Sequence, residues 1–379
     1  MKEIARADWD AVANPDGVPY NPFVAHDFLW SLEESGSATR RTGWAAHHIV
    51  CNDAGGRAAA ILPCYLKSHS MGEYVFDHGW AEAYERAGGR YYPKLQASIP
   101  FTPATGRRLL VKPGDDIESR QRLLAAAGST LAEKLGISSL NVTFAPAAEW
   151  ELLGRLGFLQ RTDHQYHFVN EGYRDFDDFL SALASRHRKA IRRERRDAVT
   201  DGITIECLTG AELTEAAWDA FFEFYMDTGS RKWGRPYLNR RFFSLVGERM
   251  ADRILLFLAR RNGRPIAGAL NFIGSDTLFG RYWGATEHQP FLHFELCYYQ
   301  AIEWGIVHGK KIVEAGAQGE HKVARGYRPT TTYSAHWIRD PAFRKAVADY
   351  LKVERRQVEH DNAELAEYLP FRHEDGGLE

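Results

Sequence analysis

The feature that most constrains the fold is an order of elements that occurs twice along the chain. Two apolar runs between Ala45 and Lys67 flank the turn-rich segment DAGGR and predict a β-hairpin. From Ile254 onwards, the runs ILLFLA and IAGALNFIG flank RRNGRP in the same way. Each hairpin is followed by a helix that ends at a glycine and then by a strand, with Gly136 before ISSLNVTF and Gly309 before KKIVEA. This order predicts an α/β fold with two similar domains, each a mixed sheet covered by helices.

The two copies differ in spacing, which suggests where the domains begin and end. The hairpins lie about 208 residues apart, whereas the helix ends lie about 173 apart. The first copy therefore contains extra residues, and we place them in an inserted loop over residues 70–105. We predict an N-terminal domain over residues 1–170, charged connecting helices over 171–200, and a C-terminal domain over 201–379. A long amphipathic helix ends the chain, with a packing stripe of Phe343, Val347, Tyr350 and Leu351.

Composition excludes several classes of protein. A chain of 379 residues with 44% apolar and 26% charged residues is long enough for two globular cores. The net charge of -2 gives no general attraction to nucleic acid or to an anionic membrane. The four cysteines are scattered, which favours a reducing compartment and argues against structural zinc. The N-terminus lacks the apolar core of a signal peptide, and no apolar run approaches the ~20 residues of a membrane span. We therefore expect a cytoplasmic protein.

Two loops combine residue types suited to binding and catalysis. The predicted insertion is rich in aromatic and ionisable side chains, which supply contact area and orient a ligand. Its candidate substrate-binding residues are Asp77, Trp80, Tyr91, Tyr92 and Lys94. The second loop, GAQGEHKVARGYRP, follows the last strand of the second copy and combines glycines with acid, base and cationic groups. It offers Glu320 or His321 as a base and Gln318, Lys322 and Arg325 as substrate-binding residues. Packed or solvated surface loops are the structural alternatives.

Two helical segments also contain candidate residues. The run SRHRKAIRRERR holds seven basic residues opposed by Glu194, and helical spacing places Arg188, Arg192 and Arg195 on one face. Arg188 and Arg192 are thus candidate phosphate ligands, although a solvated face or internal ion pairs explain such runs equally well. Glu295, at the start of the second core helix, is another candidate base, or else a carboxylate favoured by the helix dipole.

Other common sites are not supported by the sequence. His164 and His167 in DHQYHF do not suggest a metal site, because residues three apart on a strand point to opposite faces. Walker, GxGxxG, HExxH and GxSxG motifs are absent from the sequence. These observations argue against the usual nucleotide-binding, metalloprotease and serine-hydrolase classes, and we expect no metal.

Six segments together resemble the signature blocks of a known family: FDHGWAEAY, RYYPKLQASIPFTPATGRRLL, DHQYHF, SRHRKAIRRERR, FHFELCYYQAIEWG and GAQGEHKVARGYRP. They are similar to the FemAB-like family, associated with peptidoglycan biosynthesis or recognition, of the GNAT acyl-CoA N-acyltransferase superfamily. The likeness extends from about Pro22 to Ala342. It implies two tandem GNAT-like domains and transfer of an acyl or aminoacyl group to an amine by direct attack in a ternary complex. Such a reaction needs a base and a donor that stabilises the oxyanion.

The chain departs from the usual GNAT pattern at the cofactor loop. Ordinary GNAT enzymes bind the CoA pyrophosphate with a Q/R-x-x-G-x-G/A loop, but the corresponding stretch EHQPFLHFE contains no glycine. In the first copy, Asp115 and Asp116 would repel a phosphate. The usual CoA-binding loop is therefore not expected in either copy. If acyl-CoA is the co-substrate, its phosphates are held by the basic helix or by Arg325 and Arg328. Aminoacyl-tRNA is the alternative donor, which the near-neutral charge disfavours.

We thus predict an N-acyltransferase that uses a small-molecule donor and an amine acceptor, peptidoglycan-related or otherwise. The competing hypothesis is a binding protein that keeps the same scaffold without catalysis and recognises a cell-wall fragment or nucleic acid.

Overall fold

The computed structural model describes residues 1–114, 116–233, 236–316 and 319–372, without the side chains of 230–233. The helices and strands follow one another in the order α1 (Arg6–Ala13), α2 (His26–Glu34), β1 (Trp44–Ala46), β2 (Ile49–Asn52), β3 (Ala58–Leu62), β4 (Tyr65–Lys67), α3 (His78–Arg86), β5 (Lys94–Ala97), β6 (Leu110–Val111), α4 (Ile117–Lys134), β7 (Ser139–Ala145), α5 (Ala147–Arg155) and β8 (Leu159–Val169). They continue with α6 (Phe176–Ala182), α7 (Ser185–Ala198), β9 (Ile203–Leu208), α8 (Glu215–Trp233), α9 (Arg240–Met250), β10 (Ile254–Arg261), β11 (Arg264–Ile273), β12 (Thr277–Ala285), α10 (Leu292–Phe294), α11 (Gln300–Val307), β13 (Ile312–Glu314), β14 (Arg328–Ile338) and α12 (Pro341–Glu367).

The chain forms two compact units whose boundaries differ from the predicted ones. The first unit contains residues 1–164, 237–250 and 331–360, and the second contains residues 165–236, 251–330 and the chain from 361 onwards. Most of the C-terminal helix α12 thus belongs to the first unit. Its buried stripe of Phe343, Val347 and Leu351 packs in a cluster with Trp80 and Tyr91, whereas Tyr350 is 52% exposed and lies outside the stripe. A helix joins the unit that buries its apolar face, whatever its position in the sequence.

The first unit contains two sheets. Its main sheet has the strand order β1-β4-β5-β7-β14, and β2, β3 and β6 form a separate small sheet. Strands β5 and β7 are parallel, with Leu95 opposite Leu140 and Ala97 opposite Val142. These four apolar residues face the core that α4 and α5 help to form. The alternate residues of β5 are polar and also buried.

The predicted inserted loop over residues 70–105 is therefore wrong as a loop. It contains helix α3 and strand β5, and β5 is a fully buried strand between β4 and β7. The alternation of Lys94 and Gln96 with Leu95 and Ala97 is typical of a strand with one solvent-exposed face, but it covers only four residues and both faces are buried. Both faces of a central strand are normally apolar, and here one face is polar.

The second unit holds a larger sheet with the order β8-β13-β12-β11-β10-β9. Among the described strands of this unit, only β12 and β13 run parallel, and they pair over Thr277–Phe279 and Ile312–Glu314. Strand β12 then continues to Ala285 while β13 ends, so the two strands stop pairing at this edge. One core cluster unites residues of β10 and β11 with helices α6, α7 and α11.

The repeated order is confirmed for the helix and strand, with a difference at the hairpins. In each unit a parallel strand pair is joined by a helix, α4 in the first and α10–α11 in the second. Gly136 and Gly309 follow these helices with φ of 65° and 62°, which glycine adopts easily. The hairpin β2–β3 lies in the small sheet, whereas β10–β11 lies in the large one, so the two hairpins are not equivalent. Among the described residues, no helix is long and apolar enough to span a membrane.

Candidate functional site

The loop that follows β13 presents a histidine at the surface of the second unit. It forms a short 3₁₀ helix, Glu320–Arg325, in which Glu320 and His321 are exposed. Gly319 precedes it with a φ of 114°, and a Cβ there would lie 2.6 Å from the imidazole of His321. A side chain at this position would therefore displace the ring. Gln318, a predicted substrate ligand, lies outside the described residues.

His321 belongs to an aromatic cluster built by the segment before α11. Its Nε2 lies 2.9 Å from the hydroxyl of Tyr298, and its ring centre lies 5.6 Å from that of Phe294 and 6.4 Å from that of His293. Residues Glu295–Tyr299 form a π-helical turn between α10 and α11. Such turns are rare and often mark functional positions, because the extra residue redirects side chains. Here, Tyr298 of this turn fixes the orientation of His321.

The next residue, Lys322, is buried with its amine. Its side chain is 2% exposed, and Nζ donates to the carbonyl of Gly316 at 3.2 Å and lies 5.5 Å from the ring centre of Tyr166. Burial lowers the pKa of Lys322 to about 8, and the positive charge of Arg281 contributes in the same direction. The amine can thus exchange a proton near neutral pH.

Arg325 is buried and already has an anionic partner. Its guanidinium donates to both carboxylate oxygens of Glu194 at 2.9 Å, donates to the carbonyl of His321 at 2.7 Å and lies 3.6 Å from the ring centre of Phe294. The hydroxyl of Tyr299 also donates to Glu194. Arg325 therefore ties the 3₁₀ helix to α7. The contact that neutralises its charge is internal, which differs from the predicted role in binding substrate anions.

Glu295 is likewise held within the protein. It is 2% exposed, accepts hydrogen bonds from Arg195 at 3.0–3.2 Å and accepts another from Gln300 at 2.8 Å. Arg195 also donates to Glu303 at 2.6 Å. A carboxylate paired in this way is a poor acceptor for a substrate proton. The geometry favours a structural role for Glu295 over that of a base.

A cavity of about 390 Å³ opens at the end of β12, beside this cluster. Its wall is formed by Thr228, Trp283, Ala285 and residues 287–294. This volume lies within the range of small-molecule sites. His293 and Phe294 line the cavity, and their rings also pair with that of His321, so two side chains connect the cavity to the exposed histidine.

Two backbone features shape this cavity. A Cβ at Gly284 would lie 2.2 Å from the carbonyl oxygen of Phe224, so the glycine allows α8 to approach β12 closely. Thr228 of α8 then accepts a hydrogen bond from the amide of Ala285 at 3.1 Å. Phe291, just before α10, has a φ of 63°. A non-glycine residue thus adopts the left-handed conformation at the helix start, in the stretch that lacks the glycines of an ordinary GNAT loop.

The basic helix α7 faces in two directions. Arg195 points inwards to Glu295, whereas Arg192 is exposed and donates to Asp177 at 2.9 Å. Arg188 donates weakly to the carbonyl of Leu183 at 3.4 Å. The predicted common face of three arginines is therefore divided, and Arg188 and Arg192 remain as candidate surface ligands for a phosphate.

The aromatic residues predicted in the insertion lie in the first unit and are mostly buried. Asp77, Trp80, Tyr91 and Lys94 are at most 8% exposed. Lys94 and Tyr91 both donate to Asp77 at 2.5 Å. Tyr92 is half-buried, and its hydroxyl lies 2.7 Å from that of Ser70. These residues form an internal polar network, and they are not in the unit that contains His321.

Several residues of the site were missed by sequence reasoning. Tyr298, Thr228 and the buried ion pair between Arg281 and Glu314, 2.5 Å apart, have no motif that identifies them. Glu194 could have been found, since it is the single acid within the basic run. His167, on the extended strand β8, lies 3.8 Å from Glu314 at the end of β13. Within the described ranges, no group of three or more His, Cys, Asp or Glu residues is arranged to hold a metal ion.

Comparisons with known proteins agree with this architecture. The model of the FemAB-like family, described as peptidoglycan biosynthesis/recognition, matches residues 1–373. The crystal structure of FemX is similar with a TM-score of 0.56 at 11% identity, covering 91% of this chain and 98% of FemX. L-PGS from Bacillus licheniformis is similar with a TM-score of 0.51 at 10% identity, covering 89% of this chain and 98% of that protein. No curated protein sequence matches the chain.

The predicted mixed α/β fold with two domains is thereby confirmed, and the shared fold extends over nearly the whole length of both structural relatives. Because the family model covers almost the entire sequence, the chain belongs to the FemAB-like family.

Proposed function

We propose that the second unit catalyses transfer of an acyl or aminoacyl group to an amine, with the donor's reacting end in the cavity beside His321. Membership of the FemAB-like family supports group transfer as the general activity. The observation that carries the proposal is the junction between cavity and histidine: His293 and Phe294 line the cavity and contact the imidazole of His321. A base next to a cavity is what an attacking amine requires.

Each residue of the proposed site has a separate role in the reaction. The neutral acceptor amine attacks the donor carbonyl, forming the new N–C bond, and His321 takes the proton that the nitrogen loses. The tetrahedral intermediate then expels the thiol of CoA or the ribose hydroxyl of a tRNA, which receives that proton from the imidazolium. Tyr298 holds the imidazole in place through its hydroxyl, 2.9 Å away. Lys322 supplies a positive charge for anionic groups of the substrates. Glu320, exposed at the start of the same 3₁₀ helix, is the alternative base.

The donor is either acyl-CoA or an aminoacyl-tRNA, and the acceptor is a peptidoglycan-related or other small amine. The left-handed Phe291 at the start of α10 supports acyl-CoA, because it gives the backbone a turn that glycine usually provides. On α7, the exposed Arg192 and the half-buried Arg188 are the arginines proposed to bind the phosphates of either donor. Arg325 acts as a positioning residue, since Glu194 neutralises it.

The test begins with donor binding. Thermal melting of the purified protein is measured with acetyl-CoA, longer acyl-CoAs, CoA, bulk tRNA charged with amino acids and a UDP-linked peptidoglycan precursor. A ligand at a hundred times its Kd stabilises the folded state by about 2.7 kcal/mol. The donor that raises Tm is then assayed for turnover with amine acceptors.

Turnover is compared between the wild type, His321→Asn and His308→Asn. Loss of a general base lowers kcat by about 10²–10⁴-fold. We expect this loss for His321→Asn without loss of donor binding, and no change for the exposed control at His308. Equal turnover of His321→Asn and wild type would exclude His321 as the base. Ligand binding without turnover for any donor would instead support a binding protein.

A further inference from the structure

The first unit contains a buried cluster of charged side chains that the proposed reaction does not use. Lys67 on β4 and Lys94 on β5 are directly opposite each other in the antiparallel pair. They are 0% and 1% exposed, and the carboxylates of Glu73 and Asp77 beside them are 2% and 3% exposed. Like charges opposite each other on a sheet destabilise it, and a buried ion cluster is often less stable than an apolar one. Packing alone gives no reason for this arrangement.

The two carboxylates of the cluster are held very differently. Asp77 accepts from Lys94 and from Tyr91, both at 2.5 Å. Glu73 lies between the ammonium groups, with Oε1 2.9 Å from Lys94 and Oε2 3.3 Å from Lys67. Yet neither oxygen of Glu73 has a hydrogen bond of acceptable geometry within the described structure. Asp77 is thus held by two hydrogen bonds, whereas Glu73 is held by ion-pair contacts without well-formed hydrogen bonds.

Glu73 is also carried by a segment suited to movement. It belongs to the connection between β4 and α3, in which Met71 and Phe76 are 49% and 56% exposed. The next residue, Tyr74, has a φ of 58°, a conformation that a bulky side chain adopts only under strain. A segment with exposed apolar side chains and a strained backbone can release its buried carboxylate more readily than a regular element can.

We propose that Lys67 and Lys94 form a binding site for the carboxylate group of a small ligand, and that Glu73 occupies this site when no ligand is bound. The bridging position of Glu73, with one oxygen against each ammonium group, is the geometry in which a ligand carboxylate would bind. This site is separate from the reaction proposed for the second unit.

The surroundings define the rest of the ligand. Lys67 lies 3.6 Å from the ring centre of Trp44, and Phe101 packs edge-on against Trp44 at 5.3 Å. Tyr237 stacks on Phe101 at 4.9 Å and is 38% exposed, so the aromatic row reaches the surface. Burial and then the negative charge of Glu73 raise the pKa of Tyr237, as expected for a ring within electrostatic range of that carboxylate. A carboxylate attached to an apolar or aromatic group therefore fits best.

The charge state supports an exchange of carboxylates. Burial lowers the pKa of Lys67 to about 7, although Glu73 opposes this. Burial also acts to lower the pKa of Lys94, but Asp77 and Glu73 outweigh it and raise that pKa. Lys67 needs a second carboxylate in order to stay charged, which either Glu73 or a ligand can provide.

The test uses acetate and benzoate as probes and thermal melting as the readout, independently of turnover. The full-length wild type, Glu73→Gln and the double variant Lys67→Met with Glu73→Gln are melted in chloride, acetate, benzoate and phosphate at equal ionic strength. The double variant keeps the pair of Lys94 and Asp77 and serves as the matched control. We expect acetate and benzoate to raise Tm of Glu73→Gln by about 3 °C at ten times Kd, with benzoate acting at lower concentration. The wild type should require about tenfold more probe, because Glu73 competes.

Equal shifts in all three proteins would overturn the proposal, since they would show a general salt effect. A larger rise in Tm with phosphate than with acetate or benzoate would overturn the carboxylate assignment and indicate a phosphate ligand instead. If Glu73→Gln does not fold in chloride, refolding yield becomes the readout. Acetate should then restore folding of Glu73→Gln without changing the double variant, and failure of this rescue would equally reject the site.

Discussion

The substitution Lys322→Met tests whether the candidate site keeps a buried amine at the expense of stability. Methionine has a similar length and no charge, so it removes the ammonium group with little change in volume. Burial lowers the pKa of Lys322 from 10.5 to about 8. Below about pH 8 the folded protein must hold a charged amine away from water, whereas the unfolded chain keeps it hydrated. The unfolded state therefore binds the proton more tightly.

The magnitude follows from this difference in pKa. A fall from 10.5 to about 8 corresponds to about 3 kcal/mol, at about 1.4 kcal/mol per pH unit. The substitution also removes the hydrogen bond to the carbonyl of Gly316, which contributes about 1 kcal/mol. At pH 7 we thus expect Lys322→Met to be more stable than the wild type by about 2 kcal/mol, or roughly 4–8 °C in Tm for a unit of this size.

The pH dependence distinguishes this reasoning from a simple packing effect. Because the unfolded state binds more protons between about pH 8 and 10.5, stability of the wild type rises across that range relative to the variant. The difference in Tm should therefore shrink from pH 7 to pH 10. Differential scanning calorimetry at both pH values measures it, with the exposed Lys189→Met as control. A less stable variant at pH 7, or a difference that does not change with pH, would refute the argument.

Three further predictions concern single contacts. Gly284→Ala places a Cβ 2.2 Å from a carbonyl oxygen of α8 and should lower stability by about 2 kcal/mol or more in denaturant unfolding, whereas Gly79→Ala, in open space on α3, should stabilise slightly. Equal effects would contradict the close approach of α8. Arg195→Leu leaves the buried Glu295 without its ion-pair partner and should cost about 3–5 kcal/mol by the same measurement, largely recovered when Glu295→Leu is added. Burial lowers the pKa of His336 from 6.5 to about 3, so stability should fall as pH decreases through that range, and His336→Gln should flatten this part of the Tm profile.

The family and the repeated order of helix and strand could be predicted from the sequence because they depend on local signals. Hairpins, helix-ending glycines and the loop after the last strand are encoded by residues close together in the chain. Glu320, His321 and Lys322 were selected for the same reason, since a glycine-rich loop with acid, base and cation is recognisable by itself. In the structure, the ring of His321 lies 5.6 Å from that of Phe294, which lines the cavity.

Long-range pairing could not be predicted in this way. Glu194 and Arg325 are 131 residues apart, and Arg195 and Glu295 are 100 apart, so no spacing reveals that each cation already has a partner. Arg325, predicted to bind an anion, and Glu295, predicted as a base, thus lie in internal ion pairs. Strand β5 was mistaken for a loop because the partners of its buried Lys94, the carboxylates of Glu73 and Asp77, lie 17 or more residues away in the chain.

The sequence by itself determined the repeated order of helix and strand, the two-domain α/β architecture and the family, because periodicity, turn residues and motifs act over a few residues. Only the tertiary structure decided which charged groups face solvent and which are neutralised, which unit binds helix α12, and where β12 and β13 cease to pair beside a cavity. These outcomes depend on burial and on partners distant in the sequence. Burial sets the cost of a charge, and the partner determines whether that charge remains available for chemistry.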